Sequence, residues 1–343
     1  MTPARTQAPA VREVSADGFA DPETFLREIA VPCEPVVVRG LVRGWPVAEA
    51  ARTSHAALHA YLTRFATAAR AEAFVAAAAI AGRYDYAADL DGFNFEKIDS
   101  DLIGALDCIL ANAERPRGST VYMGSLEAEI YLPGFAQENS LAALPSSIGP
   151  RMWIGNASTV ACHNDTYDNI ACVVAGHRRF TLYPPDAIGD LYIGPIDNTM
   201  SGRPTSLAAH APRDDPRYPR LAAAQARSTV TDLAPGDALY LPKLWWHAVE
   251  ATDPVNILVN YWWDAFSIGP DAPNTAMMLA MIAIAERPPA ERRAWRALFD
   301  HYVFCSEGHP LAHVPEDRRG ILGSIRGAGY GRIRAMVMHM LRG

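Results

Sequence analysis

The sequence contains almost no lysine. Of the 31 basic residues in this chain of 343, only Lys97 and Lys243 are lysine, and the other 29 are arginine. Acidic residues number 38, so the formal net charge is −7. Nucleic acids and anionic membrane surfaces attract basic patches, so we expect this chain to bind neither. The shortage of lysine indicates a compositional preference for arginine. This preference affects function only at sites where arginine and lysine are not interchangeable.

Long apolar runs and paired cysteines are also missing. The longest apolar stretches, at 73–81 and 276–285, are far shorter than the roughly 20 residues that a membrane span requires. The first residues have no apolar segment, so we expect no secretory signal. The five cysteines are odd in number and form no C-x-x-C pair. This pattern disfavours a disulfide framework or a zinc knuckle and predicts reduced thiols in a cytoplasmic protein.

Short β-type runs separated by proline and glycine dominate the middle of the chain. Before them, the sequence predicts a short helix after Asp21, a strand at 36–38 and mostly helical segments at 47–80 and 100–114. After Asp264, three helical segments follow, at 274–286, from 289 and at 331–342. The predicted strands lie at 120–123, 151–154, 170–174, 179–183, 238–241, 248–250 and 255–262. Seven short strands with turns between them indicate a sandwich or barrel, flanked by helices at both ends.

The same pattern predicts an organisation in four parts. Residues 1–22 form a loose N-terminal arm, and residues 23–118 form a helical and strand region packed on the core. Residues 119–264 form the β core, with a polar, proline-containing insertion at 186–227 that is either a substrate-covering element or a surface excursion. Residues 265–343 form a C-terminal helical region.

Two short motifs suggest a metal site. His163 and Asp165 are two residues apart, so on an extended segment they face the same side and can bind one ion together. His247 follows an apolar strand and two tryptophans much later in the chain. Two imidazoles and one carboxylate with open coordination positions are the ligand set of non-haem Fe(II) oxygenases.

Around these residues the sequence resembles the cupin-like JmjC family of Fe(II)/2-oxoglutarate dioxygenases, which includes a protein asparaginyl hydroxylase. The resemblance is dense over about 119–264. It rests on six ordered blocks: Trp153-Ile-Gly-Asn156, His163-x-Asp165, the run from Ala175 to Pro185, Pro235-Gly-Asp237, Trp245-Trp-His247 and the run from Asn256 to Trp262. It implies a double-stranded β-helix (a cupin or jelly-roll core of the JmjC type) that is mostly β, with N-terminal and C-terminal helical additions.

The resemblance also implies a cofactor set and its ligands. The metal is Fe(II), held by His163, Asp165 and His247, and the cosubstrates are 2-oxoglutarate and O2. The residues that match positions around the cosubstrate are Tyr122, Thr159, Asn169, Arg178, Asn260 and Trp262. At Thr159 the loop is two residues longer than in the family, so Ser158 is an alternative. For most of the four tryptophans Trp245, Trp246, Trp262 and Trp263, core packing is the favoured interpretation.

Arg178 departs from the family pattern, which has lysine at this position. An arginine can bind a carboxylate through two parallel hydrogen bonds, so we expect Arg178 to contact the distal carboxylate of 2-oxoglutarate. Arg179 follows directly, but adjacent strand residues face opposite sides, so only one of the two points inward. The alternative is that both arginines are solvated and another group binds the cosubstrate.

The implied activity is hydroxylation of a C–H bond, with succinate and CO2 as coproducts. The resemblance suggests a protein or peptide side chain as substrate, and a small molecule stays open. It also suggests a homodimer formed through the C-terminal helices, where Trp295, Leu298, Phe299 and Tyr302 recur at helical spacing. Two alternatives remain: a non-catalytic module that keeps the fold, and a cupin metalloenzyme that does not use 2-oxoglutarate.

Overall fold

Two β-sheets form the framework of the chain up to Ala265. The structure is a computed structural model that describes residues 10–19, 21–87, 92–115, 118–200, 202–209 and 211–342. The strands are β1 Arg12–Val14, β2 Val36–Val38, β3 Arg70–Ala76, β4 Arg83–Tyr84, β5 Glu96–Asp101, β6 Thr120–Glu127, β7 Pro150–Gly155, β8 Ser158–His163, β9 Asp168–Ala175, β10 Arg178–Tyr183, β11 Thr229–Leu233, β12 Ala238–Leu241, β13 Trp246–Ala251 and β14 Asn256–Trp263.

The larger sheet has the order β1-β2-β12-β9-β14-β7-β6-β3-β5, and the smaller has the order β11-β10-β13-β8-β4. Nearly all neighbours are antiparallel; β1–β2 and β4–β8 are parallel. Apolar residues of both sheets pack together between them, among them Val173 and Leu258 from the larger sheet and Phe180 and Val249 from the smaller. This facing pair of sheets is the cupin-type jelly roll that the resemblance implies, with helices added.

Several of the helices before Ala265 cover the outer face of the larger sheet. The helices are α1 Pro22–Phe25, α2 Pro46–Thr53, α3 His55–Thr63, α4 Leu102–Ala113, α5 Ala128–Tyr131, α6 Phe135–Glu138, α7 Leu221–Ala226, α8 Pro273–Ile284, α9 Pro289–Tyr302 and α10 Tyr330–Leu341. Leu58 of α3 and Leu106 of α4 are buried in one cluster with Ile170 and Val259 of the larger sheet. Every residue of β9 is buried, because core lies on both of its faces.

A second compact unit begins at Phe266 and contains α8, α9 and α10. None of the described residues of these three helices is buried. Trp295, Leu298 and Tyr302 of α9 are each more than 40% exposed, so α9 has an apolar face without cover within this unit. Across the described residues, no helix combines the length and apolar character needed to cross a membrane.

All seven predicted strands are present, and the prediction of a β core flanked by helices is confirmed. The helical prediction for 47–80 was wrong at its end, where residues 70–76 form β3. Alanine favours helices only weakly, and β3 gains hydrogen-bonded partners on both sides, β5 and β6. Of the predicted arm, residues 12–14 pair with β2, and residues 1–9 lie outside the described part. The four-part division itself stays a prediction.

Candidate metal centre and its cavity

Two neighbouring strands of the smaller sheet bring the three candidate metal ligands together. His163 ends β8 and pairs in register with His247 of β13, and a bulge lies beside this pair. The two imidazole centroids are 4.3 Å apart. Asp165 follows two residues after His163, and its Oδ2 lies 3.8 Å from His247 Nε2. One ligand atom from each residue lies within 4.8 Å of the others, which fits a single metal ion.

Backbone carbonyls orient both imidazoles. Nδ1 of His163 lies 2.8 Å from the carbonyl oxygen of Ala161, and Nδ1 of His247 lies 3.1 Å from that of Trp245. A carbonyl only accepts, so each Nδ1 carries the proton and each Nε2 keeps a lone pair for a metal. Burial and the neighbouring His163 lower the pKa of His247 to about 4, so this imidazole is neutral at neutral pH.

The loop before His247 is fixed to the segment that carries Asp165. Leu244, at a φ of 69°, donates its N–H to the Asp165 carbonyl at 2.8 Å. The preceding Lys243 forms ion pairs with Asp168, at 3.1 Å, and with Asp264. Asp168 is almost fully buried, and this lysine is the cation that pairs with it. The ion pairs hold the loop in the position that presents Asp165 and His247 to one another.

A cavity of about 400 Å³ opens beside the three ligands. His163, Asp165 and His247 line it together with five of the predicted cosubstrate residues: Tyr122, Asn169, Arg178, Asn260 and Trp262. Aromatic rings form much of the remaining wall, including those of Phe74, Tyr84, Trp153 and Phe180. The structure therefore brings eight of the nine predicted site residues to one cavity.

Thr159 is the exception. Its neighbour Val160 lines the cavity, whereas Thr159 is not among the lining residues described. Adjacent residues of a strand face opposite sides, so the threonine hydroxyl points away from the cavity. Ser158, the alternative to Thr159, lies two residues before Val160 in β8 and therefore faces the same side of the strand as Val160. A hydroxyl contact from Ser158 or Thr159 to the cosubstrate stays a prediction.

Arg178 points inward, as expected, and Arg179 points outward. Arg178 is only 5% exposed, and among the described residues no carboxylate forms an ion pair with it. Its Nε is buried without a hydrogen-bond partner, and burial lowers its pKa to about 10. Arg179 instead forms two hydrogen bonds with Asp232 on the exposed side of the sheet. A buried guanidinium without a partner costs free energy unless an anion joins it, so this end of the cavity fits a carboxylate.

The register of β10 sets the distance between this arginine and the metal ligands. Arg178 pairs with Ala251 of β13, and Leu182 pairs with His247. Four strand residues separate the two levels, which is about 13 Å along the strand. An elongated molecule that reaches from the metal toward a carboxylate at Arg178 therefore fits the cavity better than a compact anion. Burial raises the pKa of Tyr122, so its neutral phenol can add a hydrogen bond there.

Hydrogen bonds fix the direction of the two cavity amides. Trp153 donates its indole N–H to Asn260 Oδ1 at 2.7 Å, and Asn260 Nδ2 donates to Asn169 Oδ1 at 3.1 Å. An indole N–H can only donate, so it determines which end of Asn260 faces Asn169. The amide nitrogen of Asn169 is left to donate into the cavity. With this orientation, the amide nitrogen of Asn169 can donate a hydrogen bond to an oxygen atom of a ligand beside the metal.

Trp262 lies in the aromatic wall rather than in the core. Its indole stacks on Tyr167 at a centroid distance of 6.5 Å, and the Arg151 guanidinium lies 5.6 Å from its ring centroid. Its Nε1 is buried with no hydrogen-bond partner among the described residues. The residue therefore contributes an apolar surface to the cavity.

The insertion 186–227 contributes to the cavity through a covering segment, residues 198–200 and 202–206. Met200 and Arg203 of this segment line the cavity. Tyr86 donates to the Asn198 carbonyl at 2.6 Å, and Lys97 donates to the Met200 carbonyl at 3.2 Å. Lys97 also pairs with Glu72 at 3.0 Å.

Sequence reasoning missed three residues at this site: Tyr84, Arg203 and Lys243. Tyr84 lines the cavity, and its hydroxyl lies 3.1 Å from that of Thr120. The density of aromatic residues at 84–95 was a signal for it. Arg203 and Lys243 act through contacts across the fold, which no local pattern shows. The only sequence signal for Lys243 was that it is one of two lysines among 31 basic residues.

The comparison with known proteins matches the geometry. A family model described as a cupin-like domain matches residues 22–268. Among curated proteins, the chain is 30% identical over 146 residues to the lysine-specific demethylase JMJ31 of Arabidopsis thaliana, which is 42% of this chain and 25% of the relative. It is 34% identical over 149 residues to the human HSPB1-associated protein 1, and the match covers 42% of this chain and 30% of the relative. It is 30% identical over 141 residues to Jumonji C domain-containing protein 5 of Drosophila melanogaster, and the match covers 41% of this chain and 33% of the relative.

The chain thus matches only a quarter to a third of the length of these relatives. The family model, in contrast, covers well over half of the chain and includes all of the cavity residues. Family membership, the jelly-roll framework and the grouping of His163, Asp165 and His247 agree with one another. The chain belongs to the cupin-like domain family of the JmjC type.

Proposed function

We propose that this protein is an Fe(II)- and 2-oxoglutarate-dependent dioxygenase that hydroxylates a C–H bond. The observation that carries the proposal is the pairing of a two-histidine, one-carboxylate group with a buried, unpartnered arginine in one cavity. Such a ligand set leaves open positions on the metal, and the arginine supplies a cation for a carboxylate. Membership of the JmjC family supports the same activity.

The residues of the chain have separate tasks in this proposal. His163, Asp165 and His247 hold the metal, and the carbonyls of Ala161 and Trp245 keep the imidazoles in the ligating tautomer. When bound, Fe(II) and 2-oxoglutarate supply oxidative decarboxylation, which couples O2 to C–H hydroxylation and yields succinate and CO2. Arg178 and Tyr122 bind the distal carboxylate, and the amide nitrogen of Asn169 donates to an oxygen of the cosubstrate near the metal.

The aromatic wall and the covering segment exclude water from the reacting atoms and orient the substrate carbon. We propose a protein or peptide side chain as substrate, on the strength of the family alone, and a small molecule is the second candidate. The names of the relatives include demethylases. Hydroxylation of a methyl group attached to nitrogen would be a special case of the same chemistry.

Turnover of 2-oxoglutarate tests this proposal. The purified protein is expected to convert 2-oxoglutarate to succinate only with Fe(II) and O2, and His163→Ala should abolish the reaction. Calorimetry under anaerobic conditions should detect 2-oxoglutarate binding even without a substrate. A protein that binds metal but not 2-oxoglutarate would be a different cupin metalloenzyme, and one that binds neither would be a non-catalytic module.

A further inference from the structure

We propose that Arg203 binds a carboxylate of the substrate, so that the protein selects substrates with an acidic group close to the oxidised carbon. This inference rests on the proposed function and concerns the part of the cavity next to the metal ligands. Arg203 lines that cavity from the covering segment.

The guanidinium of Arg203 is held rigidly beside the metal ligands. Its Nε donates to the Asn164 carbonyl at 2.8 Å, and its Nη2 donates to Asn164 Oδ1 at 2.7 Å. Asn164 stands between His163 and Asp165 in the sequence, so the arginine is fixed to the ligand segment itself. A guanidinium has five N–H donors, and two of them are used here. The remaining donors are available to a molecule in the cavity.

No anion of the described chain neutralises this arginine. Among the described residues, no carboxylate lies within ion-pair distance of Arg203, whereas Arg151 and Arg179 each pair with one. It is also only partly buried, so a ligand can reach it. An arginine that is fixed by a neutral asparagine and faces a cavity is prepared for an anion that arrives from outside.

When the formal charges in the cavity are counted with Fe(II) and 2-oxoglutarate bound, the positive charge of Arg203 is the one without a counter-charge. Glu72 is paired with Lys97 at 3.0 Å. With Fe(II) and 2-oxoglutarate bound, the two positive charges of the metal and that of Arg178 are matched by Asp165 and the two carboxylates of the cosubstrate. The remaining charge among the lining residues is the single positive charge of Arg203. A substrate with one negative charge restores neutrality.

The position of Arg203 separates it from the cosubstrate arginine. Thr205, two residues after Arg203, forms a β-bridge with His163, which places this part of the covering segment at the level of the metal ligands. Arg178 lies about 13 Å along β10 from that level. The two arginines are therefore placed for different carboxylates, Arg178 for one far from the metal and Arg203 for one next to it.

The carboxylate has two possible sources, an acidic side chain in a peptide and a free small acid. Both are tested by calorimetric titration of the protein loaded anaerobically with Fe(II) and N-oxalylglycine, an inert analogue of 2-oxoglutarate. The peptide probes are acetylated and amidated Gly-Gly-X-Gly-Gly, where X is Asp, Asn, Glu, Gln or Lys. The free probes are L-aspartate and L-asparagine. Within each pair, acid and amide have nearly the same shape and differ in charge.

We expect the wild type to bind an acidic probe about tenfold or more tightly than its amide, the range for a hydrogen bond to a charged group. The pair that shows the preference identifies the source. Arg203→Gln should bring the ratio close to one, and Arg203→Glu should favour the lysine peptide. The matched control is Arg213→Gln, which removes an exposed arginine of the same insertion and should keep the wild-type ratio.

Three results would overturn the inference: equal binding of acid and amide, no binding of any acidic probe, and a preference that survives in Arg203→Gln. A fourth is a loss of 2-oxoglutarate affinity in Arg203→Gln as large as in Arg178→Ala, since Arg203 would then bind the cosubstrate. Failure of the proposed function is distinguishable, because the wild type would then fail to bind N-oxalylglycine at all.

Discussion

Arg178 is the position where this chain departs from its family, and its contacts make the departure testable. The guanidinium is buried and has no carboxylate partner among the described residues, so a bound carboxylate would be its main anionic contact. Arg178→Lys keeps the positive charge and should retain much of the affinity for 2-oxoglutarate. Arg178→Ala should lose most of it, about a hundredfold, because a charge-assisted pair of hydrogen bonds disappears.

Anaerobic calorimetry with the Fe(II)-loaded protein measures both affinities. Arg179→Ala is the matched control, since it removes the neighbouring arginine on the outer face. Equal affinity in Arg178→Ala and the wild type would show that another residue binds the distal carboxylate.

Trp153 offers a second test at the scale of one residue. Trp153→Phe keeps an aromatic ring next to Trp262 but removes the N–H that fixes Asn260. Both amides can then rotate, and Asn169 can present its oxygen instead of its nitrogen to the cavity. We expect the Kd for 2-oxoglutarate to rise about fivefold to tenfold, the equivalent of one net hydrogen bond.

Titration calorimetry measures this change, and Trp263→Phe serves as control because Trp263 packs against Phe25 and Tyr240 outside the cavity. An unchanged Kd in Trp153→Phe would mean that the indole does not set the direction of the amides.

At the same scale, the sequence predicted the grouping of the metal ligands but not every contact. His163 and Asp165 could be assigned because residues two apart share a face in extended chain. Thr159 and its alternative Ser158 could not be separated from the sequence, because one residue of error in a strand reverses the side chain. The amide pair was named from resemblance alone, and its hydrogen-bond direction depends on Trp153 from another strand, which no local pattern encodes.

At the scale of elements, the loop that joins β12 to β13 depends on one ion-paired lysine. Lys243→Met leaves the buried Asp168 without its cation and should lower the free energy of unfolding by about 2 kcal/mol or more. The same variant should weaken metal binding, because the loop also donates to the Asp165 carbonyl through Leu244.

Urea denaturation and Fe(II) titration measure the two effects. Lys243→Arg keeps the charge and should recover most of the lost stability. A Lys243→Met variant with wild-type stability and metal affinity would contradict the positioning role of the loop.

The elements themselves were predictable where several signals agreed. β9 and β14 are β-branched or apolar runs between turn residues, and both were predicted close to their observed bounds. β3 was missed because its alanines carry a helical propensity of a few tenths of a kcal/mol, which pairing with two strands outweighs. The strand order of the two sheets depends on contacts between distant segments, so no local pattern predicted it, and the double-stranded β-helix itself came from the resemblance.

At the scale of the whole molecule, the C-terminal unit predicts self-association. Trp295, Leu298 and Tyr302 are exposed on one face of α9, and soluble chains seldom leave such a stripe uncovered. We expect a homodimer of about twice the 37.3 kDa chain mass, measured by light scattering after gel filtration. The double variant Trp295→Glu/Leu298→Glu should be a monomer.

Arg296→Glu is the control, because this side chain is 83% exposed and pairs with Asp300 on the same helix. A monomeric wild type would refute the prediction.

The scarcity of lysine has a practical consequence once the contacts of Lys97 and Lys243 are known. Both side chains are engaged next to the cavity, one with the covering segment and one with the loop before His247. Amine-directed acylation therefore has two side-chain targets in the whole chain, and each reports on a different wall of the site. We expect labelling at position 97 to become faster when the covering segment is released, and labelling at position 243 to become faster when the loop before His247 loosens. The labelling rates of the two lysines can therefore be measured separately. The rate at Lys97 reports on the covering segment, and the rate at Lys243 reports on the metal centre, so no engineered label is needed.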